Sequence, residues 1–355
     1  MTRASAPSPF LTGAGEIPQD WPRLAEHLAE HGWRLDEDPP PRQFASGFGN
    51  LNFLVHLDGE PMVLRRPPLG PIQPGANDMG RESRILMRLW KEFPLAPRCH
   101  HFCEDPAVLG APFFIMEYRP GLVIGGTMPD GLGDDAGAKL GAMMAEQLAR
   151  FHAVDPAAVD LDGLGNPMGF APRTLKGWTK RADAAWLGAP PADLAAVVEW
   201  LGQHVPEDAP PTLLHNDFKL DNIILDPDTL EPRALIDWDM GTRGDPLWDL
   251  AVLLSYWTEA GDPDAMIELD QMPTAAGGFP SREATARVYA EASGRDLAGF
   301  RFFRVLAVLR LAVIFRQLYR RFQEGGTDDP RFERFGGLAD GLLAFAAELA
   351  AARRF

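Results

Sequence analysis

Between Leu213 and Leu225 an apolar entry, Leu213-Leu214, gives way to the polar loop His215-Asn216-Asp217-Phe218-Lys219-Leu220-Asp221-Asn222 and then to an apolar exit, Ile223-Ile224-Leu225. The loop sets an imidazole, a carboxylate, an ammonium and a carboxamide at fixed offsets. Downstream, Ala234-Leu235-Ile236 runs into Asp237-Trp238-Asp239, an apolar strand pattern ending in two carboxylates. Carboxylates at a strand end suit Mg²⁺, a hard cation that takes one or two protein oxygens and keeps phosphates and waters as its other ligands. The plain alternative for the first segment is a polar turn between two buried strands, because Asn-Asp is common turn chemistry.

His-x-Asp followed five residues later by Asn resembles the catalytic loop of protein kinases and, more closely, that of the aminoglycoside phosphotransferase and choline kinase-like families. The resemblance implies phosphoryl transfer from ATP with Mg²⁺, a reaction in which the protein mainly positions the acceptor hydroxyl, manages its proton and neutralises phosphate charge. It implies that Asp217 is the base that accepts or orients the hydroxyl proton, that Lys219 reaches the transferring phosphoryl group, and that His215 holds the loop. Asn222 and Asp237 are the implied Mg²⁺ ligands. Asp239 is either an auxiliary metal group or a helix cap, and Asp249, in Trp248-Asp249-Leu250, resembles the Asp that braces the catalytic loop in such enzymes.

The elements that must position these groups form two lobes in this reading, an α+β kinase-like fold with a small β-rich N-terminal lobe and a larger, mainly helical C-terminal lobe. A chain of 355 residues exceeds the size at which one core usually stops growing. Residues 1–20, rich in Pro, Gly, Ala and Ser, read as a flexible or loosely docked arm. Residues 21–118 read as the nucleotide-binding lobe and 119–355 as the catalytic and substrate lobe. In the small lobe NFLVHL and PMVLR flank Asp58-Gly59, a hairpin signal. MGRESRILMRLWKEF has helical periodicity with Glu82 in its first turn, and PRCHHFCED and APFFIMEY read as further strands about the Asp105-to-Gly110 turn. Helical patterns then dominate, at about 135–154, 173–187, 191–204, 246–258, 282–293, 297–323 and 336–353.

Several small-lobe residues match the nucleotide side of the resemblance. Gly47, Gly49 and Asn50 fall in Ser46-Gly47-Phe48-Gly49-Asn50-Leu51-Asn52, where backbone N–H groups would approach phosphates. Gly49 stands where related sequences often carry Ser. Arg65 occupies the place of the phosphate-binding Lys; its guanidinium is permanently charged and forks onto oxygens, with a geometry a lysine does not share. Glu82 is its expected partner, or else an acid favoured by the helix N-terminus. Glu117 and Tyr118, in Phe114-Ile115-Met116-Glu117-Tyr118, resemble the adenine-pairing hinge.

A net charge of −16 argues against a general nucleic-acid binder, which needs a basic surface. The first residues lack an apolar signal core after a basic start, only Cys99 and Cys103 are present, and the most apolar run, RVLAVLRLAVIF, is broken by Arg310. A cytoplasmic, reducing setting with no membrane span is expected. Cys99-His100-His101-Phe102-Cys103 offers metal-ligand residue types but lacks a second cluster and a zinc-like spacing. Arg304, Arg310 and Arg316 read either as a solvated or salt-bridged helix face or as contacts for an anionic substrate. VLRRPPLGPIQPGANDMGRESRILMRL with CEDPAVLGAPFFIMEYRPG resembles the kinase-like domains fused to certain acyl-CoA dehydrogenases, a group that tends to carry Arg at the Lys position. That likeness implies a small-molecule hydroxyl acceptor such as a hydroxy acid or its CoA thioester. An aminoglycoside kinase, which needs an acidic cleft, and a non-catalytic nucleotide-binding protein are the alternatives. Carboxylates or arginines beside Asp217 discriminate the first two.

Overall fold

The computed structural model describes residues 9–11, 15–45, 49–70, 77–186, 190–327 and 329–355. The chain divides into two compact units, Met1–Pro120 with Ala234–Gly241, and Gly121–Arg233 with Thr242–Phe355.

Unit one is built on α1 (Trp21–Glu30), β1 (Arg42–Gln43), β2 (Leu51–Leu57), β3 (Glu60–Arg66), α2 (Met79–Leu89), β4 (Cys99–Cys103), α3 (Pro106–Leu109) and β5 (Phe113–Glu117). The strands make one antiparallel sheet in the order β1-β2-β3-β5-β4. The Asp58-Gly59 turn joins β2 to β3 with Leu57 opposite Glu60, and both turn residues have positive φ, 53° and 86°. That backbone matches strand twist and is available at low cost to Asp and Gly. Along β2 the alternation of Phe53, Val55 and Leu57 turns one face to the core, where Leu24 and Leu28 of α1, Leu64, Phe113 and Ile115 meet them. Each such buried side chain contributes about 1.5–3 kcal/mol. The segment expected to be a turn at Asp105–Gly110 is the short helix α3, capped by the Asp105 carboxylate and ended by Gly110 at φ 79°. Within the stretch expected as an arm, two backbone bonds, Leu11 to Gln43 and Ala45 to Pro9, hold described residues along β1.

Unit two contains α4 (Ala136–His152), α5 (Phe170–Ala185), α6 (Ala192–Gln203), β6 (Thr212–Leu214), β7 (Ile223–Leu225), β8 (Pro232–Leu235), β9 (Thr242–Gly244), α7 (Pro246–Tyr256), α8 (Asp264–Ile267), α9 (Arg282–Ser293), α10 (Phe300–Gln323) and α11 (Phe335–Ala350), with the last residues of β8 assigned to unit one. β6 pairs with β9 and β7 with β8 in two short ribbons, and these ribbons bracket the polar loop. Every residue of α7 is buried, so it threads the helical core and carries Asp249 and Tyr256 with it. No helix among the described residues is long and apolar enough to cross a membrane. The small antiparallel sheet and the mostly helical remainder are the kinase-like fold expected from the sequence.

Candidate active site

The predicted residues fall into two groups, one in each unit. Arg65 is the centre of the first. It lies at the end of β3, paired in register with Asn52 on one side and Phe114 on the other, and its side chain is buried. Its Nε donates to Glu82 Oε2 at 2.9 Å, Nη1 reaches Asn52 Oδ1 at 3.4 Å, and Nη2 bonds Asp237 Oδ1. Glu82 comes from the first turn of α2, a helix started by the Asp78 side chain accepting from the Arg81 N–H. Its other oxygen accepts from the Trp238 N–H at 3.1 Å. Arg65 meets the three oxygens from three separate nitrogens of one planar fork, whereas a lysine would have to reach them from a single nitrogen, so a lysine at this position would not be equivalent.

Asp237 reaches this cluster because Ala234–Gly241 belongs to unit one. The Leu235 N–H donates to Leu95 O at 2.8 Å, the Trp238 ring meets Phe93 edge-on, and Gly241 sits so close to Ile85 that a Cβ would lie 2.4 Å from its Cδ1. Asp237 itself has φ 68°, a left-handed conformation that Asp and Asn enter more readily than other non-glycine residues. Burial pushes the Glu82 carboxyl up to about 7; Arg65 opposes the shift, while Asp237 and Asp239 add to it. Burial works to lower the Arg65 pKa, but Glu82 and then Asp237 and Asp239 outweigh it and hold the guanidinium above its ordinary value.

The remaining small-lobe residues lie outside this knot. Gly47 lies outside the described residues, Gly49 stands beside the Asn77 side chain, and Asn50 accepts a 2.8 Å hydrogen bond from Asn77 Nδ2. Glu117 ends β5, and its carboxylate accepts from the Arg98 N–H and from the Arg119 guanidinium. Tyr118 follows it, its ring 6.1 Å from that of Phe44.

Unit two gathers His215, Asp217, Lys219 and Asn222 in the loop between β6 and β7. The bracing comes from α7. Asp249, fully buried, accepts from the backbone N–H groups of His215 at 2.6 Å and Asn216 at 2.8 Å. That fixes Asn216 at φ 66°, and Trp248 Nε1 donates to the Asn216 side chain at 2.6 Å. His152 of α4 in turn touches Asp249 at 3.4 Å and bonds Tyr289 at 2.7 Å, with burial holding its imidazole below the ordinary value. His215 Nδ1 accepts from the Asp217 N–H at 3.3 Å. Strained backbone of this sort costs of order 1–3 kcal/mol and persists only where its surroundings enforce it.

Around the Asp217 carboxylate the groups are cationic or hydrogen-bond donors. The Tyr256 hydroxyl donates to Oδ1 at 2.8 Å, Asn222 Nδ2 donates to Oδ2 at 3.2 Å and to the Asp217 carbonyl at 2.8 Å, Lys219 Nζ stands 3.7 Å away and Arg310 Nη2 3.8 Å away. Burial would raise this carboxyl, yet Lys219, Arg310 and the Tyr256 hydroxyl hold it below the ordinary carboxylate range. Arg310 also donates to Tyr256 and to the Asn216 carbonyl, at 3.2 and 3.3 Å. The solvated half of the expectation for the α10 arginines is therefore corrected for Arg304 and Arg310, which are buried within the helical core, while the salt-bridged half holds for Arg310 beside Asp217 and Arg316 is half-buried. A cavity of about 240 Å³ in the same unit is lined by Arg173, Arg181 and Arg243 together with Trp178, whose ring has Arg310 over it at 6.0 Å. Tyr256 and His152 had no sequence signal beyond helical periodicity.

The phosphotransferase enzyme family matches residues 41–303. Mouse acyl-CoA dehydrogenase family member 10 is 31% identical over 315 residues, 88% of this chain, and the chain spans 29% of that protein's length. Among solved structures, a Ralstonia eutropha protein named for its likeness to aminoglycoside phosphotransferases aligns with TM-score 0.78 at 23% identity, covering 94% of this chain and 99% of its own. Aminoglycoside phosphotransferase APH(4)-Ia, solved with AMP-PNP and hygromycin B, aligns with TM-score 0.54 at 19% identity, covering 90% of this chain and 98% of its own. Matched along most of its length by the family model, the chain belongs to the phosphotransferase enzyme family.

Proposed function

We propose that the protein transfers the γ-phosphoryl group of ATP to a hydroxyl of an anionic small molecule, of the hydroxy-acid or hydroxyacyl-CoA class. The observation that carries the acceptor class is the arginine-lined cavity beside Trp178, with Arg310 over that ring and 3.8 Å from Asp217; Lys219, 3.7 Å from Asp217, is itself bonded to Asp221 at 3.1 Å. A polycationic aminoglycoside would call for carboxylates in those places. The acyl-CoA name of the mouse relative fits the same class, and the AMP-PNP complex of APH(4)-Ia supports nucleotide use by this fold.

In this reading Asp217 accepts the hydroxyl proton. Its depressed pKa keeps it ionised, and the Tyr256 and Asn222 hydrogen bonds fix its orientation, so that the base is in place before the acceptor arrives. Lys219 and Arg310 stabilise negative charge near the acceptor, and His215 with Asp249 holds the loop. On the nucleotide side Arg65, and the backbone around Gly47, Gly49 and Asn50, would meet phosphates, with Glu117 and Tyr118 at the adenine. Asn222 and Asp237 each have an oxygen of the kind a hard cation takes: the Asn222 nitrogen is spent on Asp217, leaving its amide oxygen to offer, and Asp237 has a carboxylate. Mg²⁺ bound by such oxygens would neutralise the phosphate charge that develops during transfer.

The test is Mg²⁺-dependent ATP consumption by the purified chain against hydroxy acids, hydroxyacyl-CoAs, amino alcohols and aminoglycosides, with Asp217→Asn as control. Turnover with the anionic acceptors, lost in the variant, is the expected result. Turnover with aminoglycosides alone would overturn the acceptor class, and ATP binding without turnover of any hydroxylated compound would favour a regulatory nucleotide-binding role.

A further inference from the structure

His27 on α1 and His31, which caps the helix C-terminus, are four residues apart, the same spacing that puts Leu24 and Leu28 together in the core. The two histidines meet His101, which the edge strand β4 brings from far along the chain. His27 Nε2 lies 2.9 Å from His101 Nε2. The ring centroids are 4.5 Å apart for His27 and His31, 4.7 Å for His31 and His101, and 5.1 Å for His27 and His101. One donor nitrogen from each ring can be chosen so that all three lie within 4.8 Å of one another.

Three imidazoles are an odd choice for a packing contact, since apolar rings would fill the same space without a polar group to satisfy. They are an ordinary choice for a metal. Zn²⁺ holds imidazole nitrogens at about 2.0–2.1 Å in a tetrahedron, which puts neighbouring donors about 3.3 Å apart. The tautomers also suit a ligand role. His31 Nδ1 bonds the His27 carbonyl at 2.8 Å, which assigns the proton to Nδ1 and leaves Nε2 to coordinate, the arrangement that second-shell hydrogen bonds give to metal-bound histidines. Phe113 walls one side, 5.9 Å from His27 and 6.2 Å from His101 by ring centroid, while exposed His31 leaves an approach from solvent.

We propose that His27, His31 and His101 form a three-imidazole site for a divalent transition metal of the Zn²⁺ class, which pins α1 to the edge strand β4. Three protein ligands leave a fourth position for water. The residues lie wholly in unit one and none of them serves the phosphoryl-transfer reading, so the site's purpose is to stiffen the small lobe, and its occupancy is independent of the acceptor.

The experiment is titration of untagged, chelator-stripped full chain with Zn²⁺ by calorimetry, with thermal unfolding followed in parallel and Co²⁺ absorbance as a report on geometry. The expected result is one Zn²⁺ per chain, a higher melting temperature with Zn²⁺, and the intense visible bands of tetrahedral Co²⁺. His31→Ala changes an exposed side chain, so its fold is retained, and it should weaken Zn²⁺ binding at least tenfold and abolish the thermal shift; His101→Asn should do the same. His204→Ala, at a ring stacked on Trp200 in unit two, should leave binding unchanged. Zn²⁺ binding that survives both His31→Ala and His101→Asn would place the metal elsewhere and overturn the proposal. Absence of any binding to the stripped wild-type chain would show that the three rings are only a hydrogen-bonded cluster.

Discussion

The two units each centre on one charged side chain surrounded by its opposites, and the balance is reversed between them. In unit one a single guanidinium, Arg65, faces three carboxylates, Glu82, Asp237 and Asp239; in unit two the Asp217 carboxylate faces the cations Lys219 and Arg310 and the Tyr256 hydroxyl, and Asp221 shares Lys219 with it at 3.1 Å. The acid-rich cluster of unit one has charge to spare for a cation, whereas in unit two Asp217 and Asp221 match Lys219 and Arg310 and the further cations are the arginines lining the cavity beside Trp178. The contrast teaches that one phosphotransferase chain can hold different local charge ratios in its two units whatever its overall −16; in the proposed reading the first suits a metal-bound nucleotide and the second an anionic acceptor.

Removing the centre of each cluster should break the comparison in different currencies. Asp217→Asn keeps the size of the side chain but takes away the base, and a loss of about 10²–10⁴ in kcat is expected, measured by steady-state kinetics. Arg65→Ala should act first on folding. It strands Glu82, which is almost wholly buried, without its ion partner, and breaking such a pair costs about 3–5 kcal/mol. Denaturant unfolding would check this. Arg65→Lys, which restores charge but not the fork to Glu82, Asn52 and Asp237, should recover part of that stability. Full recovery would show that the three-way geometry is unimportant.

Much of this was legible in the residues. The β2–β3 hairpin was marked by Asp58-Gly59, the pairing of Arg65 with Glu82 by the resemblance to the strand-to-helix ion pair of kinases, and the loop from His215 to Asn222 by its polar offsets between apolar strands. The part that was not legible depends on distant segments meeting. Asp217 is oriented by Tyr256 and flanked by Arg310, yet those two sit on α7, every residue of which is buried, and on the stretch of α10 that is buried from Phe302 to Val313. Periodicity then cannot say which way an arginine points, and Arg304 and Arg310 looked equally consistent with a solvated face. Arg304 shows the limit: its guanidinium nitrogens lack hydrogen-bond partners among the described residues, and burial, with Arg282 adding to it, pushes its pKa down to about 9. The histidines were hidden in the same way, because the segment holding His101 has no second cluster near it in sequence and finds one only when β4 lies against α1.

The finer test of the contrast is the pH at which unit two's carboxylate is lost. Burial alone would raise the Asp217 pKa, and it is lowered because Lys219, Arg310 and the Tyr256 hydroxyl prevail. A carboxyl depressed in the folded state favours folding at pH values above its unfolded pKa, and that contribution disappears as pH falls through the lower folded value. For a base acting in the ionised form, the acid limb of kcat/KM should therefore lie below the usual carboxylate range. Arg310→Met preserves much of the buried bulk while removing one of the two cations, so it should move that limb upward and raise KM for an anionic acceptor more than for ATP. Lys219→Met should move the limb at least as far, since Lys219 is the larger of the two charge influences on Asp217. An acid limb that stays fixed in both variants would mean that Asp217 is not the group being titrated, and the charge inversion between the units would then have no part in setting the base.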